Sequence, residues 1–159
     1  MSRDDGIIGI SDHGGWAVLV TVAADGTLLD RRRVELVDED LPKIPHHSEG
    51  QYLPLQEAVA LVERVQRSAE RNAKLRLDAV AETFPGRILG VALRQCPGLP
   101  PTIAERLKDY RAQNVADWVM YRKALAANWS ASLKTLAVAP ARSSSLRRTS
   151  FALSWRETR

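Results

Sequence analysis

One cysteine, Cys96, stands in 159 residues, so no internal disulfide can form and no paired-cysteine metal motif exists. A lone thiol suits a reducing compartment. Phenylalanine and methionine occur twice each, and aromatic residues make up only 6% of the chain. The core must therefore rest on aliphatic side chains. No apolar run approaches the roughly 18–20 residues needed to span a bilayer, which argues against a membrane-spanning helix. The opening MSRDDG carries two acids and no apolar signal core behind it, so a cytoplasmic protein is expected. No internal repeat is present, and no helical His-x-x-x-His pair that would bind zinc.

Charge of one sign is also lacking in most of the chain. The formal charge is +4, from 23 basic and 19 acidic residues. Five arginines and one glutamate fall in 142–159, which leaves eighteen of each sign before it. The body is thus neutral and the basic character belongs to the end. A nucleic-acid-binding surface is not implied for the body on charge grounds. The segment 142–159 reads as a basic, loosely ordered tail following a single domain over 1–141. Within it, Leu146-Arg147-Arg148-Thr149-Ser150 is a candidate contact for nucleic acid or an acidic partner.

What is present is strongest at the start. Ile7–Leu36 reads as three consecutive strands. Ile7, Ile8 and Ile10 beside Gly9 suit a buried strand, and Gly14-Gly15 permits a tight reversal. Trp16–Ala23 is an apolar run of strand length, and Asp25-Gly26 is a hairpin signal. The third strand carries Arg31, Arg32 and Arg33, charges that discourage pairing at a sheet edge. After a polar connection with Pro42 and Pro45, apolar residues from Leu55 to Phe84 recur at three- and four-residue spacing, an amphipathic helix ended by Pro85-Gly86. Arg87–Leu93 reads as a strand. Thr102 with Glu105 forms a capping box ahead of a second helix, whose periodicity shifts near Asn114 and predicts a bend. Leu133–Ala139, closed by Pro140, reads as a last strand.

The order β-β-β-α-β-α-β resembles that of ribonuclease H-like α/β domains, which implies three layers, a mixed sheet of about five strands flanked by helices. Gly9-Ile10-Ser11-Asp12-His13-Gly14-Gly15, followed by an apolar strand and Asp25-Gly26, resembles the opening of Holliday-junction-resolvase-like proteins. It is also similar to the phosphate-binding hairpin of actin-like sugar kinases, although the chain has length for only one such domain. The resolvase resemblance implies a metal-dependent nuclease or phosphohydrolase, in which carboxylates converge on Mg²⁺ or Mn²⁺. Asp12 matches its first-strand acid. Where the family places an acid after the fourth strand, this chain has Arg94. Further carboxylates would have to come from helices, with Glu57, Asp117 and Asp109 as candidates.

Other constellations point elsewhere. Arg94 with Gly14 and Gly15 forms a candidate small-anion site, because ligands of α/β sheets gather at the carboxyl ends of strands. A structural pairing of Arg94 with Asp12 or Asp117 is the competing expectation. Asp12 and His13 are candidate metal ligands, as are His46, His47 and Glu49. Adjacent histidines in extended chain point in opposite directions, so one ion does not readily take both. Cys96 is expected to be buried or half-buried rather than nucleophilic. Tyr110, Trp118, Tyr121 and Trp129 are expected in a core or subunit interface, with base stacking as the alternative. The leading functional expectation is a non-catalytic binding or interaction module that forms a homo-oligomer. The nuclease using Asp12, Glu57 and Asp117 is the alternative.

Overall fold

The computed structural model describes residues 5–136, with side chains as far as Trp129. Three antiparallel strands come first: β1 (Gly6–Asp12), β2 (Trp16–Ala23) and β3 (Leu28–Glu35). Gly15 takes φ +82° in the first turn and Gly26 takes φ +86° in the second, values open to glycine without a Cβ clash. In the second turn the Asp25 carboxylate accepts the Thr27 amide at 2.9 Å, which holds that carboxyl below its ordinary pKa.

Pro54 caps helix α1 (Leu55–Thr83), 29 residues and about 43 Å long. The chain then returns as β4 (Ile88–Ala92), which pairs in parallel with β1. The sheet order is β3-β2-β1-β4, so β3 lies at one edge with its three arginines and β4 at the other. A six-residue helix α2 (Ile103–Lys108) starts at the Thr102–Glu105 capping box, with both reciprocal bonds made. The long helix α3 (Tyr110–Leu136) closes the described chain.

Along β1 and β2, alternate residues point to one covered face. Ile8, Ile10, Ala17 and Leu19 pack there with Val65, Ala69, Ala73 and Leu77 of α1 and with Met120, Tyr121, Ala124 and Leu125 of α3. The small Ala69 and Ala73 leave room for close approach at this helix–sheet core. The residues between them, including Ile7, Gly9, Val18 and Val20, point to the opposite face. There Gly9, Val18 and Val20 border an open groove of about 610 Å³ that Arg94 also lines.

Three expectations are corrected. The described residues form four strands, not five: Leu133–Leu136 continue α3, and 137–139 lie outside the described residues. The run Ala124–Leu136 is rich in alanine and leucine and contains no proline or glycine, so the sequence offers no helix stop signal before Pro140. Both long helices belong to one core on one face, so the described residues make two layers rather than three. The break in the second helical region falls at Asp109, not Asn114: the Asp109 carboxylate accepts the Arg111 amide at 2.9 Å and starts α3 afresh. The connection before α1 also holds a short 3-10 helix, Glu49–Tyr52, which the prolines masked in sequence. The expected tail over 142–159 lies outside the described residues. No helix among the described residues is long and apolar enough to cross a membrane.

Candidate functional site

Asp12 ends β1 on the covered face and is 1% exposed. A buried carboxylate must be paired, and its partner is Arg122 of α3. The Arg122 Nη2 donates to Asp12 Oδ2 at 2.9 Å, and its Nε lies 3.2 Å from both carboxylate oxygens. Nη1 donates to the Gln95 carbonyl at 3.0 Å, just past β4. One guanidinium thus ties α3 to the ends of two neighbouring parallel strands. The bond to Asp12 raises the arginine's pKa further. Arg94 approaches the same carboxylate, with Nη2 3.8 Å from Oδ1, while its side chain is largely exposed.

These residues border a cavity of about 370 Å³, shared with His13, Val115, Trp118 and Val119. Its ionic groups are one carboxylate and two guanidiniums. A divalent cation there would have to displace Arg122 from Asp12 and tolerate Arg94 beside it, a poor exchange for a hard cation that wants oxygen ligands. Beside the cavity, the His13 ring stacks on Trp16 with centroids 3.9 Å apart and planes 7° apart. The Arg33 Cζ lies 3.9 Å from the Trp16 ring centroid, a cation–π contact.

The other expected site residues disperse. Asp117 is buried and faces a different loop: its Oδ1 accepts the His46 amide at 3.0 Å and lies 2.7 Å from His46 Nδ1, while Oδ2 accepts the His47 amide at 3.1 Å. Glu57 is exposed in the first turn of α1. Asp109 caps α3. Among the described residues no group of three or more histidine, cysteine or acidic side chains is placed to hold a metal ion.

Gly14 and Gly15 are not among the residues lining the cavity that holds Asp12 and Arg94. A Cβ on Gly14 would meet Ile44 Cγ2 at 3.0 Å, and one on Gly15 would meet Lys43 and Val37 at 2.9–3.0 Å. The turn is packed under the loop after β3, and its Gly15 carbonyl accepts the Leu36 amide at 2.8 Å. His46 and His47 diverge: the first is buried on Asp117, and the second tilts against Tyr110 at 5.6 Å. Cys96 is half-buried and unpaired among the described residues.

Sequence reasoning selected Asp12 and placed a cation from Arg94 near it. It missed Arg122 as the dominant partner. The available signal was a cation inside an apolar helical stripe, between Val119 and Leu125, where a solvated charge does not belong. Comparison with known proteins adds no relative to this geometry: no family model, no curated protein and no solved structure matches the chain.

Proposed function

We propose that this chain is a non-catalytic binding module of ribonuclease H-like layout that associates with a second copy of itself. The observation that carries the non-catalytic part is the Asp12–Arg122 pair. It occupies, with an internal cation, the carboxylate that a metal-dependent nuclease of this layout would use. The antiparallel meander with a parallel fourth strand beside β1 supports the layout.

Self-association is supported by the contrast between the sheet edges. β3 carries Asp30, Arg31, Arg32, Arg33 and Glu35, whereas β4 reads Ile-Leu-Gly-Val-Ala with no charge and no proline. An uncharged edge strand is a template for pairing with another chain. Leu89 on that strand is 43% exposed. Pairing of two β4 strands would extend the sheet and continue its open apolar face.

Two measurements test the proposal. Calorimetry with Mn²⁺ should give no saturable heat on the wild type; binding that disappears in Asp12→Asn would revive the nuclease with Asp12, Glu57 and Asp117. Sedimentation velocity across a concentration series should show a dimer that Leu89→Lys converts to monomer. A wild type that stays monomeric throughout the series overturns the self-association.

A further inference from the structure

His46 carries more than a structural bond. The imidazole is 1% exposed, and its partner Asp117 is equally buried. A carboxylate only accepts, so the 2.7 Å contact assigns the proton on Nδ1 to His46. Asp117 also accepts two backbone amides, which leaves the ring no freedom to turn. Nε2 is then the working end of an oriented imidazole, and it has no hydrogen-bond partner among the described residues. Leaving a buried polar nitrogen unpaired costs stability, so something with a hydrogen-bonding group belongs opposite it.

The ring borders a cavity of about 450 Å³ between α1, α3 and the loop before α2, separate from the Asp12 pocket. That volume falls in the range of about 300–1,000 Å³ typical of small-ligand sites. Its wall is mixed. Val119 and Met120 supply apolar surface, while Lys123, Arg106 and Glu70 supply charge. Arg106 is fixed by donating to the Pro100 and Pro101 carbonyls at 2.7 and 2.8 Å. Glu70 accepts from the Gln66 amide at 3.1 Å. Two cations against one anion favour an anionic ligand.

We propose that His46, oriented by Asp117, forms the floor of a binding site for a small organic phosphomonoester, with Lys123 at its rim. The phosphate fits either state of the ring. A neutral imidazole accepts a P–OH proton at Nε2, and an imidazolium donates Nε2–H to a phosphate oxygen. The apolar wall and the spare volume favour an esterified phosphate over the free ion.

The test is nitrogen-15 imidazole spectroscopy of the full chain, which has three histidines, titrated with phenyl phosphate and, in a separate arm, with inorganic phosphate. A saturable shift of the His46 Nε2 signal is expected, tighter for phenyl phosphate. Lys123→Ala is exposed and safe for folding; it should weaken binding about fivefold, as loss of one charge-assisted contact does. His46→Gln should abolish binding while circular dichroism stays native. If that variant unfolds, the wild-type and Lys123→Ala titrations decide alone. Tighter binding of inorganic phosphate would replace the ester with the free ion and overturn the ligand class. No shift at Nε2, or equal shifts at all three imidazoles that Lys123→Ala leaves unchanged, overturns the site and leaves the cavity to water.

Discussion

At the scale of single residues, the chain spends its buried charges on one another. Asp12 with Arg122 and Asp117 with His46 are each buried and hydrogen-bonded to one another, and each spans a large sequence separation. Removing one member of the Asp12–Arg122 pair leaves the other buried without its ionic partner. Arg122→Met should therefore cost roughly 3–5 kcal/mol in urea denaturation, and Asp12→Leu should cost a similar amount. The double variant should recover most of that loss, because the desolvation of both ions disappears together. A double variant as unstable as the sum of the singles would mean that the pair does not couple. Asp12 was legible as a special acid because it ends a strand at a glycine turn. Its true partner was not, because helical periodicity groups Arg122 with its apolar neighbours but cannot say what lies opposite. His46 was legible only as a loop histidine: nothing local in Pro45-His46-His47 announces a carboxylate 71 positions away.

At the scale of elements, α3 is the fastening piece. Successive residues turn about 100° on a helix, so Asp117 and Tyr121 share one side while Arg122 is rotated well away. One side holds the loop after β3, where the Tyr121 hydroxyl donates to the Lys43 carbonyl at 2.7 Å. The other holds the strand ends. Burial, with Asp117 and Glu49 nearby, pushes the Tyr121 phenol above its ordinary value. The sign follows: the unfolded phenol loses its proton first as pH rises, so the folded state loses this contribution above about pH 10. Alkaline titration should show one of the three tyrosines ionising only as circular dichroism is lost, and Tyr121→Phe should remove that step at a cost of about 1 kcal/mol. On the next element, the side chains of Asn72 and Ser68, with Arg71, hold the Asp38 carboxyl low and tether the chain after β3 to α1. A lowered carboxyl stabilises above its unfolded value near 4 and stops doing so as pH falls through its folded value. Asp38→Asn should accordingly flatten the acid limb of a stability–pH curve. Strands, the long first helix and the capping box were all readable, since each rests on local spacing. The fifth strand was misread because a short apolar run at 133–139 fits a strand or a helix equally, and only length and breakers decide.

At the scale of the whole molecule, one sheet carries helices on one side only among the described residues, and its two edges differ in charge. That asymmetry was half-visible: the arginines of β3 announced an edge, while the bare second face depended on where α3 returned, which periodicity does not encode. The expected thermal behaviour belongs to this scale too. If two β4 strands pair, the midpoint of unfolding should rise with protein concentration, and Leu89→Lys should remove that dependence. The parallel pairing of β1 with β4 has a kinetic meaning as well. Gly6 faces Ile88 across a separation of 82 positions, while its other neighbour, β2, is joined by a three-residue turn. Closing so long a loop must precede any reward from that ladder, so the meander forms early and the fourth strand docks late. During synthesis β1 therefore waits with an open edge until α1 and β4 have left the ribosome. The order of growth, as much as the final energy, decides what that edge meets first.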